Sequence, residues 1–213
     1  MMKTEQMSVW EKEFGKEYTD RNPLSEEEMN GLYEAQFGVT RSRLNEQFIG
    51  FLDRNAKILE VGSNVGTQLQ LLKRMGFHSL YGVELQEYAV EKSKMATKGV
   101  NIIQGSAFDI PYKEAYFDMV YTSGVLIHIK PNDLGVALDE IHRCSNRFIW
   151  GFEYFSEAFE MIPYRGMENI LWKGNYAREY LNRFPDLKLV QERALPYIKS
   201  PNVDHMFLLE KQS

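Results

Sequence analysis

Cysteine is nearly absent: Cys144 stands alone among 213 residues. An internal disulfide is therefore excluded, and a reducing, cytoplasmic setting is the expectation. No apolar run approaches the ~20 residues that a membrane-spanning helix needs. The opening Met-Met-Lys-Thr-Glu-Gln lacks the apolar stretch of a signal peptide. Basic residues are outnumbered, 25 Lys and Arg against 30 Asp and Glu, for a net charge of −5. A nucleic-acid partner favours a basic face, so a small acceptor is the better expectation. Histidine is also scarce. His78, His142 and His205 form no ligand spacing with Cys144, and no metal site is expected. The remaining composition, 44% hydrophobic and 26% charged, is that of an ordinary globular protein, long enough for one α/β domain with a modest addition.

What is present centres on Lys57-Ile-Leu-Glu-Val-Gly-Ser-Asn-Val-Gly66. Residues 57–61 predict a short buried strand, and Gln68 onward predicts an amphipathic helix. The turn between them carries Gly62 and Gly66, which let a ligand approach backbone that a Cβ would block and aim helix N-terminal amides at it. Glu84 follows the second predicted strand, about 20 residues further on, where a βαβ unit places a carboxylate against the two hydroxyls of a ribose. A dinucleotide fold wants G-x-G-x-x-G, but Asn64 occupies the middle position and a third glycine is missing. An NAD-dependent reductase is thereby disfavoured. The form Glu60-Val61-Gly62…Gly66 resembles motif I of the class I S-adenosylmethionine (SAM) methyltransferases, except that their common version has a further glycine in place of Asn64. The resemblance implies that Glu60 ends the strand and that Gly62, Ser63, Asn64 and Gly66 wrap the methionine part of the cofactor.

Strand and helix signals alternate from there on. Strands are expected over 57–61, 80–85, 100–104, 117–122 and 147–152, and helices from 68, over 87–98 and from Pro131 to His142. Gly76 and Gly99 close the first two helices. A final pair of strands, 187–192 and 205–210, reads as antiparallel. The expected architecture is α/β and Rossmann-like: seven mostly parallel strands with helices on both faces, resembling the class I methyltransferase sheet. Residues 1–50 form a polar helical segment with Trp10, Phe14, Tyr18, Tyr33 and Phe37, followed by a SAM-binding domain over 51–213 that is interrupted at 154–180. The two extra segments read either as a lid and an acceptor-site insertion or as helices that complete the core.

Pieces spread over nearly the whole chain are similar to the pseudaminic-acid-biosynthesis-associated methylases. They include Trp10-Glu11…Glu13-Phe14-Gly15…Tyr18-Thr19…Arg21-Asn22, the 59–66 motif, Gly124-Val-Leu-Ile-His128-Ile129, Ile162-Pro-Tyr164-Arg165-Gly166 and Arg183-Phe-Pro-Asp-Leu187. That resemblance implies methyl transfer from SAM to a sugar or nucleotide sugar of surface-glycan biosynthesis. Within the class I resemblance, Glu84 and Leu85 fall on the ribose side, and Ser106, Ala107 and Phe108, with Ser106 where Asp is common, hold the adenine or else form a plain turn with a buried Phe. Ser123 and Gly124 end the fourth strand under the methyl donor. His128 is the candidate general base or, alternatively, a packed core residue; Glu153 is a second candidate base or a carboxylate for acceptor hydroxyls. Methyl transfer is an in-line displacement that positioning alone can accelerate, so a base is not obligatory. Tyr18, Arg21 and Asn22 are candidates for the SAM carboxylate, or else form a solvated helix face. Tyr164 and Arg165 are candidates for an acidic acceptor, Arg165 through its planar fork, unless Arg165 pairs with a neighbouring carboxylate such as Glu168 and only holds the insertion. An inactive nucleoside-binding regulator is the competing reading, and pairing of two copies stays open.

Overall fold

The computed structural model describes residues 3–22 and 25–212; Met1 and Met2 of the polar opening stretch lie outside the described residues. Four helices come first: α1 (Glu5–Trp10), α2 (Glu13–Arg21), α3 (Glu26–Phe37) and α4 (Arg41–Ile49). Small hydroxyl residues start three of them. Thr4, Ser25 and Thr40 each accept a backbone N–H, and Ser25 with Glu28 forms a reciprocal capping box. The alternating region follows: β1 (Lys57–Val61), α5 (Thr67–Arg74), β2 (Ser79–Glu84), α6 (Glu87–Ala96), β3 (Asn101–Gln104), β4 (Phe117–Ser123), α7 (Pro131–Cys144) and β5 (Ser145–Tyr154). The chain ends with the hairpin β6 (Glu160–Met161) and β7 (Trp172–Lys173), then α8 (Tyr176–Arg183), β8 (Leu187–Pro196) and β9 (Val203–Lys211).

The sheet order is β3-β2-β1-β4-β5-β9-β8. The first five strands run parallel, and β9 lies antiparallel to both β5 and β8. This is the expected Rossmann-like class I methyltransferase architecture. From β1 the chain winds outward through β2 and β3, then returns to the other side of β1 as β4. That reversal opens a crevice at the carboxyl ends of β1 and β4, where ligands of open α/β sheets bind.

Alternation along the strands feeds two cores. Ile58, Tyr121 and Trp150 face Leu44 and Phe48 of α4 and Leu69 and Leu72 of α5. Leu59, Val61 and Val120 face Leu134, Leu138 and Ile141 of α7 with Tyr176 and Tyr180 of α8. Cys144, at the end of α7, is fully buried, and burial pushes its thiol up to about 11.

Two expectations are corrected. The strand expected over 187–192 continues to Pro196, because residues 193–196 keep pairing with β9; of these four only Leu195 is buried, so no alternation shows in the sequence. The expected 154–180 insertion divides: the β6–β7 hairpin stands apart from the main sheet, whereas α8 begins at Tyr176 and completes the second core. Among the described residues no helix is long and apolar enough to cross a membrane.

Candidate functional site

A cavity of about 350 Å³ opens at the carboxyl edge of β1, β2 and β4, roofed by α1, α2 and α3. At its floor the chain leaves β1 through Gly62, Asn64 and Gly66, all left-handed (φ 75°, 46° and 81°). A Cβ on Gly62 would lie 2.4 Å from Val125 Cγ2. Gly62 lines the cavity, and the space a side chain would take there is filled by Val125, so its bareness serves the packing of the turn as well as the approach of a ligand. Gly66 lies off the cavity: it is the left-handed residue that starts α5, and a Cβ there would strike Ile102 and Thr97.

Glu84 is held by this turn. Its Oε2 accepts from the Asn64 amide at 2.8 Å and its Oε1 from the Gln86 amide at 2.9 Å. Burial raises its pKa while those two amides act in the opposite sense. Around it, Glu60 Oε2, Ser63 Oγ, Asn64 Oδ1 and Gln68 Oε1 are buried and without a protein partner. Unmet hydrogen-bonding capacity along a cavity wall fits a polar ligand, and a ribose and an amino-acid tail are such groups. Leu85, Ser106, Ala107 and Phe108 form the adjoining wall. Ser106 Oγ accepts from the Phe108 amide at 3.1 Å, so one lone pair of the hydroxyl holds the turn and one remains.

Ser123, Gly124 and Val125 bring β4 to the cavity, and a 3₁₀ turn (Leu126–His128) follows. His128 Nδ1 lies 2.7 Å from the Ile170 carbonyl. A carbonyl only accepts, so Nδ1 carries the proton and Nε2 keeps its lone pair. Burial lowers the His128 pKa to about 4, which holds the ring neutral near pH 7. Trp10 covers the ring, with centroids 4.4 Å apart. Glu153 does not line the cavity. Its oxygens accept from the amides of Val125 (3.3 Å) and Ile127 (3.4 Å), and burial raises its pKa to about 7. It fastens the turn that carries His128, which corrects its candidacy as a base.

The amino-terminal candidates divide as well. Tyr18 and Asn22 line the cavity. Arg21 does not: it pairs with Glu17 one turn back, 3.4 Å away on the outer face of α2. Tyr164 is also off the wall, because Phe14 and His128 stand against its ring at centroid distances of 6.0 and 5.9 Å. Arg165 sits exposed at the tip of the hairpin turn, 5.8 Å from the Tyr164 ring. Among the described residues no lysine or arginine lines the cavity, and no His, Cys, Asp and Glu cluster could hold a metal.

One cation stands just behind the wall. Arg41 is fully buried; its Nε donates to Asn45 Oδ1 (2.8 Å), and its Nη1 to the hydroxyls of Tyr33 (2.8 Å) and Ser123 (3.2 Å). The rings of Tyr33, Trp150 and Phe152 surround it at 4.8–5.3 Å. Burial lifts the Glu60 pKa to about 8, with Arg41 pulling the other way. The sequence reading missed Arg41, although a signal exists. A cation in the first turn of a helix opposes the macrodipole, so its side chain is placed there for another reason. Gln86, Trp10 and Phe152 were missed as site residues because their partners lie far off in sequence.

Residues 59–147 match a family described as a methyltransferase domain. No curated protein matches the chain in sequence. Among solved structures, the chain is similar to the 1,6-didemethyltoxoflavin-N1-methyltransferase of Burkholderia thailandensis, which was determined with 1,6-didemethyltoxoflavin and S-adenosylhomocysteine bound. The two are 16% identical over all of this chain and 92% of that one, with a TM-score of 0.73. The PH0226 protein of Pyrococcus horikoshii is 18% identical over 92% and 99% of the two chains, with a TM-score of 0.67. A SAM-dependent methyltransferase of Anabaena variabilis is 12% identical over 99% and 96%, with a TM-score of 0.70.

Proposed function

We propose that this chain, a methyltransferase that takes SAM as its methyl donor, methylates an oxygen or nitrogen of a small acceptor held beneath Trp10 and beside His128. The observation that carries the reading is the continuity of one cavity from the Glu84 carboxylate, past Ser123, to the free Nε2 side of His128. Glu84 would take the ribose hydroxyls, Phe108 the face of the adenine, and Ser63, Asn64 and Gln68 the polar amino-acid tail. Arg41, through Tyr33 and Ser123, adds positive potential at that tail without entering the cavity. Bound there, SAM supplies an electrophilic methyl group on a sulfonium.

The protein's own work is to position and to dry the site. Trp10, Phe14 and Tyr18 pack as a lid whose rings shut out water, with Trp10 5.2 and 5.1 Å from the other two. His128, neutral and with its tautomer set by Ile170, can accept the proton that the acceptor loses.

For the acceptor we keep the sugar or nucleotide sugar of surface-glycan biosynthesis that the family resemblance implies, with its reacting part uncharged. A wall without lysine or arginine gives an acidic acceptor no ion-pair partner among the described residues. An acidic group on the acceptor would then lie outside, toward Arg165 on the hairpin. Coupled detection of S-adenosylhomocysteine with a panel of neutral, amino and acidic sugars tests the class. In the same assay Arg165→Lys should raise the KM of an acidic sugar while SAM affinity stays put, because a point charge loses the paired bonds of the guanidinium. Unchanged kinetics in both Arg165→Lys and Arg165→Ala would remove Arg165 from acceptor binding.

A further inference from the structure

Gln86 stands between the carboxylate that faces the ligand and the helices that cover it. It follows Glu84 by two residues, starts α6 and is 5% exposed. Its backbone amide donates to Glu84 Oε1 at 2.9 Å. Its side chain faces the opposite way. Nε2 donates to the carbonyls of Trp10 (3.1 Å) and Lys12 (3.2 Å), which flank the break between α1 and α2. Oε1 accepts from the hydroxyl of Thr19 on α2 at 3.1 Å. Two donated bonds and one accepted bond are the set a carboxamide provides. A carboxylate has no donor, and an ammonium has no acceptor.

The covering helices are shaped to receive this group. A Cβ on Gly15 would lie 2.6 Å from Gln86 Nε2 and 1.9 Å from the Trp10 carbonyl, so α2 is bare where the carboxamide enters. Thr19 is buried at the same contact. Further along, Asp20 of α2 accepts from Tyr88 (2.8 Å) and pairs with Lys92, both on α6.

We infer that Gln86 is a positioning residue that couples occupancy of the Glu84 site to closure of α1 and α2. A ligand that fixes Glu84 also fixes the Gln86 backbone, and the carboxamide then keeps Trp10 over His128. The coupling runs both ways, since closed helices hold Glu84 ready for the ligand. The inference rests on the SAM assignment and is independent of the acceptor.

Hydrogen exchange read by mass spectrometry tests it on the full chain, with and without S-adenosylhomocysteine, alongside calorimetry of the same ligand. In the wild type the ligand should slow exchange over residues 5–21 and over the 61–67 turn. In Gln86→Ala the free protein should exchange about tenfold faster over 5–21, the weight of a buried hydrogen-bonded group. The ligand should bind about tenfold more weakly and should slow the 61–67 turn but not 5–21. Gln86→Glu keeps the shape and loses the donors. It should resemble Gln86→Ala at pH 8 and regain part of the protection over 5–21 as the pH falls and the side chain takes up a proton, because the acid O–H replaces one of the two donated bonds, a dependence that a packing role would not give. Exchange of β1 and β4 serves as the internal control for folding. Protection of 5–21 in Gln86→Ala equal to wild type, free or bound, overturns the coupling. Failure of the ligand to slow the 61–67 turn in the wild type would instead fault the cofactor assignment, and the free-protein comparison would still decide the role of Gln86.

Discussion

At Glu84 a single substitution strands two backbone amides, those of Asn64 and Gln86, as well as the ligand's hydroxyls. Glu84→Ala should therefore weaken SAM binding by about 1–3 kcal/mol in calorimetry, the range for donors left without a charged partner. His128→Ala should leave SAM affinity near normal and lower turnover by about 100-fold, the usual weight of a general base. Because burial lowers the His128 pKa to about 4, its base form is already full at pH 6. The turnover profile should accordingly show no rise near pH 6.5 that an ordinary histidine base would give, and a histidine limb at that pH would remove His128 from proton transfer. Both residues were legible in the sequence, one by its place at the end of a strand and the other as the histidine that follows β4. Gln86 was not, because its partners Trp10 and Thr19 come near only on folding, and the one sign of Arg41, a cation in the first turn of a helix, says nothing of its partner Ser123.

Among the elements, the β1–α5 turn is the least forgiving. Gly62→Ala puts a side chain into the left-handed region, at roughly 1–2 kcal/mol, and drives it into Val125. Thermal unfolding should shift down by about 4 °C or more, taking about 2–4 °C for each kcal/mol at this chain length, and SAM affinity should fall with it. An unchanged midpoint would mean that the 125–128 turn yields at no cost. The strands and helices between Lys57 and Tyr154 could be read because each buries a face with its own period, and glycines punctuate them. The segment after Tyr154 could not be divided correctly. The side chains of β6 are exposed, and α8 signals its core face through Ala177 and two tyrosines, Tyr176 and Tyr180, which also suit a binding surface.

At the scale of the molecule, buried acids set a pH dependence. Burial raises Glu60 to about 8, and Glu153 and Asp204 to about 7, each above its ordinary value of 4.5 or 3.8. The folded chain holds these protons where the unfolded chain has released them. The stabilisation is thus complete below about pH 4 and declines as the pH rises through 7 and 8. Histidines with lowered values, His128, His142 and His205, oppose this trend only below about pH 6.5. Ligand-free protein should therefore lose thermal stability steadily between pH 6.5 and 8.5, and Glu60→Gln should flatten part of that slope. A midpoint that rises over this interval would contradict the buried-acid account.

The burial of Cys144 has an experimental use. A thiolate is the form that reacts with maleimides, and a fully buried thiol pushed up to about 11 offers almost none of it at pH 7. The wild-type chain is in effect blank to such reagents. A cysteine placed at an exposed site, Glu17 on α2, and another at Met95 on α6 can each take a fluorophore with no background label, and the distance between the two dyes can be followed in single molecules as SAM arrives and leaves.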